Sequence, residues 1–188
     1  MSSYPWLAVA LLWPVALLNY LDRQMLSAMR DGVLADPALA IPKESADAQY
    51  GLLMAAFLYV YGALSPVGGV VGDRLSRRWT IVGSLFAWSG VTWATGQARS
   101  YDELLLLRAL MGVSEAFYIP AALALIAEFH PGGTRTRAVG VHQTGIYAGM
   151  FLGGVGGFFA ESGSWRDGFT LFGVVGVVYA GVLAFARR

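Results

Sequence analysis

The 188-residue sequence contains no cysteine and only two histidines, and 13% of its residues are charged. The absence of cysteine excludes disulfides, thiol catalysis and thiolate-bound metal or iron–sulfur sites. His130 and His142 are too few for a histidine metal cage. The formal net charge of +1 gives no basis for a nucleic-acid partner. We therefore predict a protein without a metal or other cofactor that does not bind nucleic acid.

Apolar residues and glycine dominate the composition. Apolar side chains make up 56% of the chain, glycine contributes 24 residues and the mean hydropathy is +0.56. The charged fraction is about half of the ~25% usual in soluble domains. These values exclude a disordered chain and an ordinary soluble domain. They predict a multi-pass protein embedded in a lipid bilayer.

Six apolar stretches are long enough to cross a bilayer as helices, which takes about 20 residues each. The run from Ile81 to Ala94 has no charge and no strict period of two, which favours helices over barrel strands. The sequence therefore predicts an all-α membrane protein whose residues 1–188 form one bundle of six transmembrane helices. Their expected bounds are about 6–30, 49–71, 79–97, 103–129, 138–160 and 168–186.

Basic residues in the loops predict the orientation, because cytoplasmic loops carry more Lys and Arg. Seven such residues fall on one side of the predicted bundle and four on the other, which predicts that both termini are cytoplasmic. The first span lacks a small-residue cleavage site before a soluble region, so we expect it to be retained. One lysine against twelve arginines, with abundant Ala, Gly and Val, is typical of a GC-rich bacterial gene and favours the inner membrane.

Four charged residues fall inside predicted spans: Asp22 and Arg23 in the first, and Arg108 and Glu115 in the fourth. Each costs about 2.5–3.5 kcal/mol at mid-helix, or on the order of 10 kcal/mol together. Their spacing places Asn19 with Asp22 and Arg23 on one helix face, and Arg108 with Glu115 on another. We expect them to face the bundle interior, either as a structural ion-pair network or as a substrate or proton path. Intramembrane ionisable groups more often mark such a path.

Small and aromatic residues suggest further contacts. Gly112 is expected to let another helix or a ligand approach closely, and Tyr20 and Tyr61 are candidates to offer hydroxyls to a cavity. His142 is interpreted as a hydrogen-bonded packing residue. A small-residue packing stripe is predicted in the fifth span at Gly145, Gly149, Gly153 and Gly156.

The turn between the second and third spans reads Gly69-Val-Val-Gly-Asp-Arg-Leu-Ser-Arg-Arg78. It resembles the signature loop between helices two and three of the major facilitator superfamily, with Ser76 where the eighth position is usually glycine. Arg108-Ala-Leu-Met-Gly112 resembles the fourth-helix arginine motif of that family. The resemblance implies the N-terminal half of a twelve-helix transporter, built as a 3+3 inverted repeat. Its implied partner is a C-terminal six-helix half or a second chain.

Two subfamilies share further motifs with this sequence. Asn19-Tyr-Leu-Asp-Arg23, Arg108 with Glu115-Ala116, and the stretch 129–140 resemble the anion:cation symporters, which include sugar-acid and other carboxylate transporters. The first two patterns also resemble spinster-type lipid transporters. We favour the first resemblance, which implies proton-coupled symport of a small organic anion. A spinster-like lipid or drug transporter is the alternative. Ile146 stands where some sugar-acid symporters carry a polar residue, which argues against a polyhydroxylated substrate.

The resemblance also implies residue roles. The residues expected to bind substrate are Arg23, Tyr61, Arg108 and Tyr20. The expected proton-coupling pair is Asp22 and Glu115. The conformational latch between the halves is expected to comprise Gly69, Asp73, Arg74, Arg77 and Arg78. A non-transporting membrane subunit or truncated fragment is the rival interpretation, whereas an enzyme is disfavoured because no nucleophile–base pair or phosphate loop is visible.

Overall fold

The computed structural model describes residues 4–161 and 164–186, with the side chains of Tyr4, Asp73, Ala160 and Glu161 outside the description. Over these residues the chain forms helices and no strands, as the sequence predicts. The α-helices are α1 (Tyr4–Ala28), α2 (Arg30–Leu34), α3 (Ala46–Arg74), α4 (Arg77–Thr95), α5 (Tyr101–Glu115), α6 (Tyr118–Phe129), α7 (Arg135–Leu152), α8 (Val155–Glu161) and α9 (Trp165–Phe185). Short 3-10 turns cover Pro37–Leu39, Lys43–Ser45 and Gly132–Thr134.

Each of the six predicted spans falls mainly on helix. The first extends across the turn at Met29 into α2, and two others are interrupted in mid-span. The fourth span comprises α5 and α6, and the fifth comprises α7 and α8. The first interruption lies at Ala116 and Phe117, where Pro120 has no N–H to donate to the Ala116 carbonyl four residues earlier. The second lies at the adjacent glycines Gly153 and Gly154, which favour helix poorly.

Four stretches of the described chain are both long and apolar enough to cross a membrane. They are Pro5–Ala28, Lys43–Gly72, Tyr101–Phe129 and Trp165–Phe185. Helix α4 is rich in Trp, Ser, Thr and Gly, and α7 carries Arg, His and Gln, so both are less apolar. Membrane crossing by α4 and by α7 with α8, and hence the six-span repeat, stays a prediction.

The long helices pack in pairs, α1 against α7, α4 against α9 and α3 against α5. Gly149 of α7 faces the Leu17 carbonyl of α1 so closely that a Cβ would collide with it. In α5, a Cβ on Gly112 would lie 2.7 Å from the Phe57 carbonyl oxygen of α3. The other residues of the stripe that face α1 are Gly145, Gly153 and Gly156. The predicted stripe and the close approach at residue 112 are both confirmed.

A polar clasp closes the end of the bundle that carries α2. Asp36 accepts hydrogen bonds from the Ala38 backbone N–H at 2.9 Å, from Trp165 Nε1 at 2.9 Å and from Arg166 Nε at 3.0 Å. Burial by itself raises the pKa of Asp36, but these donors and the Arg166 charge lower it below its ordinary value. The clasp therefore ties the segment after α2 to the start of α9.

Candidate functional site

An ion pair joins the first and fourth predicted spans. Arg23 Nε of α1 donates to Glu115 Oε2 at the end of α5 over 2.7 Å. The Glu115 side chain is fully buried, whereas that of Arg23 is 15% exposed. The interruption between α5 and α6 follows Glu115 directly, so the carboxylate lies at a helix end rather than in mid-helix. The pair is thus reachable only from the Arg23 side.

Three aromatic rings surround the Arg23 guanidinium. Its Cζ lies 4.8 Å from the centroid of Tyr20, 5.0 Å from that of Phe57 and 4.3 Å from that of Tyr61. These separations lie within cation–π range, and such contacts contribute about 0.5–2 kcal/mol each. The rings hold the cation in one place while leaving N–H groups for hydrogen bonding.

Phe57 was not among the residues that the sequence predicts for this site. It lies one helical turn before Tyr61 on α3, and the two rings stack at 5.7 Å. That i, i+4 relation to a predicted residue is the signal that could have identified it. Phe57 also belongs to the buried core.

Asp22 contacts different residues from Arg23, although the two are adjacent in the sequence. It accepts a hydrogen bond from the Thr92 hydroxyl of α4. Both of these side chains are buried. All three residues of the predicted face, Asn19, Asp22 and Arg23, point into the bundle, but successive helical residues are rotated by about 100°, so Asp22 meets α4 and Arg23 meets α5. Thr92 was not predicted, because it is one of several Ser and Thr residues in α4 and nothing in a single sequence distinguishes it from the others.

Arg108 is the second cation of the cluster and is only 1% exposed. Its Cζ lies 5.1 Å from the Phe57 ring, which it shares with Arg23. It interacts electrostatically with Asp22 and Glu115. Two cations and two anions thus balance one another inside the bundle, as the cost of unpaired buried charge requires.

Several polar atoms of this cluster have no hydrogen-bond partner among the described residues. The unpartnered atoms are Asn19 Nδ2 and Oδ1, Asp22 Oδ1, Arg23 Nη2, Arg108 Nε and Nη1, and Glu115 Oε1. A buried polar group left without a partner costs about 1–3 kcal/mol. The cluster therefore has donors and acceptors in excess of what its fold needs, which suits groups that bind a ligand or a proton.

The residues of the predicted latch have separate neighbours. Arg77 forms an ion pair with Glu128 of α6. Arg78 donates to the carbonyls of the last turn of α9, at 3.2 Å to Leu183, 2.9 Å to Ala184 and 2.6 Å to Ala186. Gly69 and Arg74 are at least partly exposed, while the Asp73 side chain lies outside the described residues. Arg77 and Arg78 thus fasten α4 to α6 and α9, and their part in a latch stays a prediction.

A cavity of about 560 Å³ lies beside Arg77, Arg78 and Glu128, between α1, α4, α6 and α9. Its other walls are mainly Leu, Ile and Val, and none of the four intramembrane charges lines it. The cavity is therefore separate from the charged site.

Ile146 and His142 both lie in the interior of the bundle. Ile146 is 4% exposed, and the expectation against a polyhydroxylated substrate stays a prediction. His142 Nε2 lies 2.9 Å from the Tyr118 hydroxyl, which agrees with a hydrogen-bonded packing residue.

Apolar helices of bilayer length around a buried cluster of opposite charges are typical of helical membrane transporters. The model of the Major Facilitator Superfamily matches residues 12–188. The chain belongs to this family of membrane transporters.

Curated relatives within the family include both subfamilies that the sequence resembles. Protein spinster homolog 1 of Bos taurus is 34% identical over 88% of the chain, which covers 31% of that protein. The hexuronate transporter of Bacillus subtilis is 27% identical over 92% of the chain, which covers 40% of that protein. The sphingosine-1-phosphate transporter SPNS2 of Xenopus tropicalis is 32% identical over 86% of the chain and 31% of its own length. The chain thus spans between 31% and 40% of the length of these relatives.

Solved structures agree with the fold. A bacterial homolog of the human lysosomal transporter spinster, in an inward-facing and occupied conformation, superposes with a TM-score of 0.85 at 23% identity. The match covers the whole of this chain and 45% of that one. The inward-facing, unoccupied form of such a homolog gives a TM-score of 0.84. The bundle therefore has the fold of part of a major facilitator transporter.

Proposed function

We propose that this bundle is the N-terminal half of a proton-coupled symporter for an organic anion. The supporting observation is the Arg23 guanidinium, which donates to Glu115 through Nε and is surrounded by aromatic side chains. Its buried Nη2 has no hydrogen-bond partner in the part of the chain that the structure describes. A guanidinium in this setting can bind a carboxylate or a phosphate through two parallel hydrogen bonds. Tyr20, Tyr61 and Arg108 assist in binding the substrate.

Coupling arises from competition for Arg23. When Glu115 is ionised, it occupies Arg23 and opposes a second anion. When Glu115 takes a proton, the attraction weakens and the guanidinium becomes available to the substrate. Release of the anion restores the Arg23–Glu115 pair and favours loss of the proton. Asp22 is the second protonatable group of this mechanism.

The transporter needs a second bundle opposite Arg23 to complete its cavity. In the proposed arrangement, α1 and the α5–α6 pair occupy corresponding positions of the 3+3 inverted repeat, and substrate binds between the halves near the bilayer midplane. Gly69, Asp73, Arg74, Arg77 and Arg78 form the latch on the cytoplasmic side. The protein lies in a bacterial inner membrane with both termini of this chain in the cytoplasm.

Uptake by proteoliposomes under an imposed pH gradient tests this function. The chain is reconstituted alone and together with a C-terminal six-helix bundle of the family. We expect anion accumulation only with both bundles, and its collapse by a protonophore. Glu115→Gln mimics the protonated carboxyl, so it should retain anion binding and lose accumulation against the gradient. Glu103→Gln, an exposed change at the start of the same helix, is the matched control.

Two results would contradict the proposal. Undiminished gradient-driven accumulation by Glu115→Gln would remove Glu115 from coupling. Tight binding of anions in the absence of any flux, with both bundles present, would support the rival interpretation of a non-transporting membrane subunit.

An anionic amphiphile is a second candidate substrate. The three aromatic rings at Arg23 can pack against an apolar part of a substrate that lies next to its anionic group. Two of the relatives cited above are a spinster homolog and a sphingosine-1-phosphate transporter. Competition of a hexuronate and of sphingosine-1-phosphate against a labelled carboxylate separates the candidates. Displacement by the hexuronate favours a small organic anion, and displacement by the lipid alone favours the amphiphile.

A further inference from the structure

Asp22 is held by α4, away from the ion pair that binds the proposed substrate. Its Oδ2 accepts a hydrogen bond from Thr92, and its Oδ1 is buried without a partner among the described residues. Thr92 is itself buried, and its Oγ1 also lies 3.9 Å from Met111 Sδ. Among the described residues, the Thr92 hydroxyl is therefore the hydrogen-bond partner of the Asp22 carboxyl group.

The Thr92 hydroxyl has two oxygen neighbours and a single hydrogen. Besides Asp22 Oδ2, the Trp88 carbonyl oxygen lies 2.9 Å from Thr92 Oγ1. With Asp22 ionised, Thr92 donates to the carboxylate. With Asp22 protonated, the carboxyl donates to Thr92 Oγ1, and the Thr92 hydrogen turns to the Trp88 carbonyl. Both states are hydrogen-bonded, and the change between them needs one proton added to the Asp22 carboxylate and rotation of the Thr92 O–H group.

Charged groups on two helices act on Asp22. Arg23 lies on the same helix and Arg108 on α5, and both favour the carboxylate electrostatically. Glu115 on α5 is the anion that opposes it. None of these three makes a hydrogen bond to Asp22 among the described residues, whereas Thr92 of α4 does. The three charges thus affect the protonation of Asp22 without hydrogen bonding to it, whereas the Thr92 hydroxyl contacts the carboxyl group directly.

We propose that Thr92 is a positioning residue for proton coupling, a hydroxyl relay between Asp22 and the Trp88 carbonyl that stabilises both protonation states of Asp22. The proposal rests on the role given to Asp22 in the proposed function. In this role α4 takes part in proton coupling, although Arg23 lies on α1 and Glu115 on α5.

An infrared titration of the 188-residue chain in lipid nanodiscs tests the relay. The protonated carboxyl band of Asp22 is assigned by its disappearance in Asp22→Asn, and its pH midpoint is then compared between variants. Thr92→Val keeps the shape and removes the hydroxyl. A hydrogen bond to a charged carboxylate is stronger than one to a neutral carboxyl, so we expect the midpoint to move upward by about one pH unit.

Three further variants exclude a general effect of repacking. Thr92→Ala removes the same hydroxyl with a smaller side chain and should move the midpoint in the same direction. Thr92→Ser keeps the hydroxyl and should restore the wild-type midpoint. Thr95→Val is the matched control, because the buried Thr95 donates only to its own helix, at 2.9 Å to the Val91 carbonyl, and should leave the midpoint unchanged.

The outcomes separate this proposal from the proposed function. An Asp22 band whose midpoint is the same in wild type and in both hydroxyl-deleting variants would overturn the relay, as would a band that does not titrate. The spectrum needs neither substrate nor a second bundle. Loss of the transport proposal would therefore leave the titration result intact, and a failed relay would leave the Arg23–Glu115 competition untouched.

Discussion

Replacing Arg23 by lysine keeps the charge and removes the fork of N–H groups. In the structure Arg23 uses Nε for Glu115, while its buried Nη2 has no hydrogen-bond partner within residues 4–161 and 164–186 and can meet a second oxygen. Lysine offers one compact ammonium, so a bidentate contact becomes a single contact. A charge-assisted hydrogen bond contributes about 1.5–3 kcal/mol.

The expected loss in Arg23→Lys is therefore a roughly 10- to 100-fold weaker Kd for the anion. Calorimetric binding to the reconstituted transporter measures it, with Arg99→Lys as control, since Arg99 is an exposed residue of the α4–α5 loop. We expect the control to bind as the wild type does. An unchanged Kd in Arg23→Lys would refute the assignment of Arg23 as the anion-binding group.

Two further predictions concern stability, both measured by thermal unfolding in detergent. Asp36→Asn removes the charge of the clasp and should destabilise the fold by about 1–3 kcal/mol. Because the fold lowers the pKa of Asp36, its contribution should be full above about pH 4 and lost as the pH falls through the folded pKa; a variant and wild type that differ equally at all pH values would contradict this. Gly149→Ala introduces a Cβ against the Leu17 carbonyl and should cost about 1–3 kcal/mol, whereas Gly83→Ala, with open space at its Cβ, should cost nothing. Equal melting temperatures for the two alanine variants would contradict close helix contact at residue 149.

Strong local signals made part of this molecule predictable. Charges inside apolar spans are costly, so their presence at Arg23 and Glu115 indicated a shared interior, and the ion pair bears that out. Glycine spacing in α7 likewise indicated a close helix neighbour, because only small residues allow backbones to approach.

Other features depend on contacts between distant residues and gave no local signal. Thr92 meets Asp22 across 70 positions of sequence, and Glu128 meets Arg77 across 51. Ile146 was interpreted through a family position, but its orientation follows from how α7 is rotated against α1. The rotation of a helix about its axis depends on the packing of the whole bundle. A single sequence predicts it only where the residue pattern clearly distinguishes one face of the helix.

The functional interpretation likewise rests on a few side chains rather than on the fold. Many transporters share this architecture, and fold alone does not identify a substrate. The aromatic rings at Arg23 and the unpartnered polar atoms around it are what favour an anion and a proton at one site.

Proton uptake on anion binding tests the central competition most directly. Binding is measured by calorimetry in buffers of different ionisation enthalpy, with the reconstituted transporter near neutral pH. If the anion displaces Glu115 from Arg23, the freed carboxylate gains a proton, and about one proton should be taken up per anion bound. Glu115→Gln should bind the anion without proton uptake. Binding by the wild type with no linked proton, or the same linkage in Glu115→Gln, would contradict the account.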